Sequence, residues 1–181
     1  MRIRVRKARP RDLTAIAALD RTVWRRNRNG QHIPDGEHAW GVWIRSAQVL
    51  VAEDRGIVTG CALAFPCLDG TLCLHKLFVR ASCRGRGIGQ TLLAAMSRFS
   101  ERRGSRLWLT TDPVNSAAVA LYRKMGYRLL RRVEGFYRAD EPRLVMIRAP
   151  ASRTRGAARR QRGDDDGPSI RAGQNKNDSA L

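Results

Sequence analysis

The chain has 181 residues, 43% of them hydrophobic, and a formal net charge of +19, so it is long and apolar enough to form one sizeable core. Its apolar runs fall short of the ~18–20 residues that a membrane-spanning helix needs, and arginines interrupt the N-terminus too often for a signal peptide. Its four cysteines form no C-x-x-C pair, which argues against a zinc site and favours reduced thiols in a cytoplasmic protein.

Hydrophobic periodicity predicts strands and helices in mixed order over most of the chain. The predicted elements are, in chain order, a strand at 3–8, a helix at 12–23, a polar loop at 27–36, a short helix at 37–45, a hairpin of strands 49–53 and 57–65, a strand at 72–79, a helix at 88–102, a strand at 106–111, a helix at 115–125, and strands at 127–133 and 143–148.

The pattern stops near residue 150, and we predict one domain over residues 1–149 and a disordered tail over 150–181. The tail has almost no large apolar residue, so it cannot bury enough surface to offset the entropy of ordering. It holds seven basic and four acidic residues, and most of the positive charge therefore belongs to the domain. Such a surplus is typical either of a protein with an anionic partner, such as nucleic acid, or simply of a solvated arginine-rich surface.

A glycine-rich segment joins the predicted strand at 72–79 to the next helix. It reads Arg84-Gly85-Arg86-Gly87-Ile88-Gly89-Gln90. Glycines in such a turn let backbone N–H groups approach an anion closely, and a helix N-terminus favours phosphate. The segment lacks both the Gly-Lys-Ser/Thr ending of a Walker loop and the G-x-G-x-x-G spacing of a dinucleotide site. It predicts a phosphate-binding turn of another kind or, more simply, a basic turn between a strand and a helix.

A second motif starts about 25 residues further on, after the strand-like run 107–111. Residues 115–127 read N-S-A-A-V-A-L-Y-R-K-M-G-Y. Asn115 is a favourable N-cap for a helix, and Gly126 suits the left-handed residue that ends one.

Together the two motifs resemble those of the GNAT superfamily of N-acetyltransferases. Arg84 to Gly89 matches R-x-x-G-x-G, and Asn115 to Tyr127 matches N-x-x-A-x-x-L-Y-x-K-x-G-F/Y, in the family's order and at its separation. The resemblance covers roughly residues 2–149. It implies an α/β (α+β) GNAT fold, with a mixed, mostly antiparallel central sheet that splays between strands 4 and 5 and is flanked by helices.

The resemblance also implies that acetyl-CoA is the cosubstrate and that no metal is needed. In the family, a splayed strand donates a backbone N–H towards the thioester, and the glycine loop binds the pyrophosphate. The positions that match the family's cofactor-binding residues are Leu77, Phe78, Val79, Arg84, Gly85, Arg86, Gly87, Ile88, Gly89, Gln90, Asn115 and Tyr122.

The family's general acid, which gives a proton to the leaving thiolate, corresponds to Tyr122. A phenol with an ordinary pKa of about 10 is protonated at neutral pH and suits this role. The simpler interpretation is a tyrosine that only fills the core.

The general base does not follow from the resemblance. Residues Phe136 to Met146 also resemble ribosomal-protein N-terminal acetyltransferases, but the two glutamate positions of such enzymes are Thr110 and Cys73 here. His75, Asp112, Glu134 or an ordered water remain as candidates.

The missing carboxylate bears on the acceptor. A backbone α-amine has a pKa of roughly 7.7–8.0 and a lysine of about 10.4, so deprotonating lysine costs about 3.4 kcal/mol more. We therefore predict a peptide N-terminal α-amine or an amino-acid-like small molecule. In such a fold, Trp43 and Phe136 would wall the acceptor site together with the predicted substrate-binding residues, which are Trp40, His75, Thr110 and Tyr137.

Two other functions stay open at this point. A GNAT-like domain that binds acetyl-CoA as a sensor or partner-binding module would fit the absent glutamate. A nucleic-acid-binding protein built on the same fold would fit the positive charge. Both a monomer and a homodimer are compatible with the sequence.

Overall fold

The structure is a computed structural model that describes residues 2–25 and 34–150. Most of the predicted loop at 27–36 and the predicted disordered tail lie outside the described residues, so these two remain predictions.

Seven strands and four α-helices follow one another in the described residues, and every predicted strand and helix is confirmed. The strands are β1 Ile3–Lys7, β2 Gln48–Asp54, β3 Ile57–Pro66, β4 Leu72–Val79, β5 Leu107–Thr111, β6 Arg128–Val133 and β7 Arg143–Arg148. The helices are α1 Leu13–Arg25, α2 Glu37–Ser46, α3 Ile88–Arg103 and α4 Ser116–Lys124.

The largest difference from prediction concerns α1. A short 3₁₀ turn over Pro10–Asp12 precedes the helix, so α1 begins one residue later than expected and ends two residues later. The Asp12 carboxylate causes this start, because it accepts the backbone N–H of Arg9 at 2.7 Å and pairs with the Arg6 guanidinium. An aspartate that satisfies a free N–H at this position stabilises the first turn.

The strands form a single sheet in the order β1-β2-β3-β4-β5-β7-β6. All neighbouring pairs are antiparallel except β4 and β5, which are parallel. This confirms the expected mixed, mostly antiparallel sheet.

Each face of the sheet is covered by its own pair of helices. One apolar cluster lies on the α3 and α4 face and includes Leu92, Leu109 and Met146. The other lies on the α1 and α2 face and includes Ile16 and Trp40. Within the described ranges, no helix is both long and apolar enough to cross a membrane.

Candidate functional site

The sheet opens between its two parallel strands. The β4–β5 pairing consists of Leu72 with Leu107 and Cys73 with Trp108. Beyond these residues the strands separate, which leaves one edge of the second half of β4 without a β5 partner. Backbone N–H and C=O groups along such an edge are available to a ligand, because unpaired backbone groups need partners. We call this opening the β4–β5 gap.

Two backbone N–H groups of β4 are directed into the gap. Arg80 N–H donates to Thr59 on β3 at 2.8 Å. Since hydrogen-bonding direction alternates along a strand, the N–H of Phe78 also faces β3, and those of Leu77 and Val79 face the gap. The Phe78 side chain is buried in the α1 and α2 cluster, so its ring belongs to the core. Of the three β4 residues predicted to bind the cofactor, Leu77 and Val79 therefore direct an N–H towards the gap, and Phe78 does not.

The glycine-rich segment lies at the end of β4 and leads into α3. Gly85 and Gly87 both have φ of +74°, a conformation that glycine adopts without strain. A Cβ built on either residue meets no atom within 4 Å, so the surface above them is open. The first helical hydrogen bond runs from Thr91 N–H to Gly87 C=O at 2.9 Å. The N–H groups of 88–90 precede that bond, and they form the open end of the helix.

The other members of the segment divide between core and surface. Ile88 is buried, and Arg84, Arg86 and Gln90 are exposed. The Arg84 side chain donates from Nε to the Val79 carbonyl at 3.3 Å. This bond ties the segment to the end of β4. We call residues 84–90 the glycine cradle.

Gly89 lies in the first turn of α3. A Cβ there would be 3.7 Å from Leu121 and 3.8 Å from Val79, which is ordinary contact. An alanine would therefore fit here, and the packing of α3 against α4 and the end of β4 does not by itself require glycine.

Helix α4 begins and ends as the sequence predicts. Asn115 caps it by accepting the Ala118 N–H at 3.1 Å, and Gly126 follows it with φ of +83°. Its Tyr122 packs against the α3 and α4 cluster, with its ring centroid 5.7 Å from that of Tyr127. The Tyr122 hydroxyl has no hydrogen-bond partner among the described residues. Burial raises the pKa of Tyr122 to about 12, so the hydroxyl is protonated at neutral pH.

On the α1 and α2 face of the sheet, two of the predicted acceptor-site residues lie beside the gap, on the β5 side. Because Leu109 faces α3 and α4, the neighbouring Thr110 faces the other way. Thr110 Oγ1 lies 3.0 Å from the hydroxyl of Tyr137, which is 59% exposed. The Arg143 guanidinium lies over the Tyr137 ring, 5.5 Å from its centroid. These contacts hold a polar wall beside the gap.

The β4 side of this face is aromatic. His75 is exposed, and its ring centroid is 5.8 Å from that of Trp43 and 5.4 Å from that of Phe65. Trp40, also predicted to contact substrate, is 0% exposed, and its ring packs edge-on against Trp43 at 5.1 Å. Trp40 thus lies behind the aromatic surface and supports it.

A buried ion cluster beside Trp40 was not found by sequence reasoning. Lys76 Nζ is 2.7 Å from the Asp20 carboxylate and also contacts that of Asp35. The same Asp20 oxygen accepts the Trp40 indole N–H at 3.1 Å, and the other oxygen is buried with no hydrogen-bond partner among the described residues. The cluster joins α1, β4 and the residues before α2. Its only signal in the sequence is a charged residue inside each of two apolar patterns, at position 20 in α1 and at position 76 in β4.

The described residues contain no group of three or more histidine, cysteine or acidic side chains placed to hold a metal ion. The four cysteines, all in described segments, are free thiols. Burial raises the pKa of Cys61 well above the ordinary value, so this thiol is un-ionised at neutral pH.

Comparison with known proteins finds a family model that matches the part of the chain holding the described site. Residues 45–129, which include β4, the glycine cradle, β5 and α4, match the model of the acetyltransferase (GNAT) domain. The chain is 31% identical over 80 residues to streptothricin acetyltransferase of Streptomyces lavendulae, a stretch covering 44% of this chain and 42% of that protein.

Solved structures show the same fold over a longer stretch. The yncA protein of Salmonella typhimurium, determined with its cofactor acetyl-CoA, has a TM-score of 0.72 at 19% identity and covers 87% of this chain and 99% of its own. The ribosomal-protein-alanine N-acetyltransferase of Brucella melitensis has a TM-score of 0.69 at 25% identity and covers 81% of this chain and 99% of its own. By sequence, the chain spans less than two thirds of the length of the curated relatives it matches, between 29% and 64%.

Proposed function

Because residues 45–129 match the model of the GNAT acetyltransferase domain, we propose that this chain transfers the acetyl group of acetyl-CoA to a primary amine. The observation that carries the proposal is the β4–β5 gap with the glycine cradle at its end. The gap exposes backbone donors to a thioester, and the cradle exposes backbone donors to phosphate.

The residues present fit acetyl-CoA. The open surface above Gly85 and Gly87 and the free N–H groups at the start of α3 suit a pyrophosphate, because they offer several donors with no side chain in the way. Arg84 and Arg86 add positive charge at the same place. The N–H groups of Leu77 and Val79 are the candidates for hydrogen bonds to the thioester carbonyl, whose negative charge grows during the reaction. When bound, acetyl-CoA supplies the activated acetyl group.

Tyr122 is proposed as the general acid. It lies on the α3 and α4 face, and its hydroxyl is protonated and without a protein partner in the described segments. A donor of this kind can supply a proton to the thiolate as the C–S bond breaks.

The acceptor is proposed to be a peptide N-terminal α-amine or an amino-acid-like small molecule. Thr110 and Cys73 stand at the two glutamate positions, so the site lacks the carboxylates that would favour a lysine. The similarity to a ribosomal-protein-alanine N-acetyltransferase supports the first class, and the similarity to streptothricin acetyltransferase supports an acceptor other than a protein.

A panel of amines tests this function. Wild-type protein and acetyl-CoA are incubated with three kinds of amine. These are lysine-free peptides with free N-termini, N-terminally blocked peptides that contain lysine, and amino-acid amides. The free thiol of the released coenzyme A is measured. We expect turnover with α-amines and at least tenfold less with lysine. Calorimetric binding of acetyl-CoA without transfer to any amine would favour the sensor function instead.

Replacing Gly87 by alanine is expected to weaken acetyl-CoA binding by tenfold or more. An alanine at φ of +74° costs about 1–2 kcal/mol in backbone strain, and the Cβ also displaces the phosphate from donors whose bonds to a charged group are each worth about 1.5–3 kcal/mol. Calorimetry measures the affinity.

Gly104→Ala is the matched control for this substitution. Gly104, at the far end of α3, has φ of +64° and equally open surroundings, so the change brings similar strain without touching the cradle. We expect both variants to lose similar stability and only Gly87→Ala to lose affinity. Equal affinities for acetyl-CoA would place the pyrophosphate elsewhere.

A further inference from the structure

His75 occupies the point at which β4 leaves β5. Its neighbour Cys73, two residues earlier, is the last residue of β4 that pairs with β5. The register between β3 and β4 skips His75, with Leu74 and Lys76 both paired, so this residue stands at a bulge. Bulges re-aim side chains and often occur beside active sites. Here the imidazole lies on the α1 and α2 face, next to the position along β4 at which the gap begins.

The ring of His75 is held by aromatic contacts alone. Trp43 and Phe65 touch it edge-on or tilted, and neither ring nitrogen has a hydrogen-bond partner among the described residues. The residue as a whole is exposed. With no described residue bonded to its nitrogens, the ring can accept a proton from a ligand that approaches from solvent.

The two carboxylates considered from the sequence have other partners. Asp112 accepts the backbone N–H of Val114 at 2.9 Å and lies 3.7 Å from the Arg143 guanidinium. Glu134 pairs with Arg132 at the surface. Protonation of either carboxylate would weaken the contact with its arginine.

The surroundings of His75 favour its neutral form. Partial burial of the ring is the largest cause that lowers the pKa of His75, and the positive charge of the adjacent Lys76 lowers it further, whereas the charges of Asp35 and Asp20 act in the opposite direction. The groups on α2 and β3 that pack against the ring are uncharged. A histidine whose pKa lies below the ordinary 6.5 is neutral at pH 7 and can accept a proton.

We infer that His75 takes the proton from the acceptor amine during acetyl transfer, a role that rests on the proposed function. As the amine nitrogen bonds to the acetyl carbon and the C–S bond breaks, the amine proton goes to an imidazole nitrogen. The hydroxyl proton of Tyr122 goes to the sulfur. Solvent then takes the proton from His75 and returns one to Tyr122. The two groups lie on opposite faces of the gap, which matches an amine that attacks from one side and a thiol that leaves on the other.

The test replaces His75 by glutamine, with His38→Gln as the control because His38 is an exposed histidine on α2. Acetyl-CoA and alanine amide are the probes. We expect His75→Gln to lower kcat by at least about 10²-fold while the KM and the calorimetric Kd for acetyl-CoA stay within twofold. The acid limb of the kcat profile, which lies below pH 6.5 in the wild type, should disappear. His38→Gln should behave like the wild type.

Chemical rescue separates proton transfer from a structural role. His75→Ala leaves room for a free base, so we expect added imidazole to raise the kcat of this variant at least tenfold. The kcat of His75→Gln should not change when imidazole is added. Two results would overturn the inference and leave the acetyltransferase proposal intact. One is a His75→Gln variant with the kcat of the wild type, and the other is a His75→Ala variant whose kcat imidazole does not raise. A wild type that binds acetyl-CoA but acetylates neither alanine amide nor the peptide panel would overturn both.

Discussion

Replacing Tyr122 by phenylalanine is expected to lower kcat by about 10²–10⁴-fold, the contribution typical of a general acid. The substitution keeps the ring that packs against Tyr127 and removes only the hydroxyl, which bonds to no described residue. The leaving thiolate then has to take its proton from water. Steady-state kinetics should show the loss in kcat, with the KM for acetyl-CoA within about threefold of the wild type.

The neighbouring tyrosine supplies the control. Tyr127→Phe makes the same chemical change in a ring that is 3% exposed and lies 5.7 Å away. We expect its kcat to stay within a few-fold of the wild type, because its hydroxyl is buried in the core. If Tyr122→Phe turned over at the wild-type rate, Tyr122 would be a packing residue.

Replacing Lys76 by methionine is expected to lower the free energy of unfolding by about 3–5 kcal/mol, the cost of removing one partner of a buried ion pair. Lys76 is 4% exposed and Asp20 is 0% exposed. Without the ammonium group, the Asp20 carboxyl group loses its charged partner in a place that water does not reach. Urea unfolding followed by circular dichroism measures the change.

Two further variants isolate the buried charge as the cause. Lys7→Met alters an exposed lysine on β1 and should change stability by no more than about 0.5 kcal/mol. Adding Asp20→Asn to Lys76→Met removes the uncompensated charge and should recover part of the loss. A Lys76→Met variant within 1 kcal/mol of the wild type would contradict this account of the cluster.

The sequence by itself predicted the strands and helices of the described residues and the conformations at their ends. The Asn115 cap and the left-handed Gly126 are confirmed because each depends on residues within a few positions along the chain. The turn that residues 84–90 make between β4 and α3 has the same local origin, and its binding of phosphate stays a prediction. The splaying of the sheet between β4 and β5 was expected only through the resemblance to a family.

Other features were decided by the tertiary structure. Lys76 and Asp20 are 56 residues apart, and nothing near either residue specifies the partner. The bulge at His75 depends on the register between β3 and β4, and the full burial of Trp40 depends on how α2 packs on the sheet. A periodic pattern shows which side of an element is apolar, but the partner of each side chain follows from contacts between distant segments. For this reason two local motifs were enough to name the proposed cofactor-binding residues, whereas the contacts among the proposed acceptor-site residues became visible only in the folded chain.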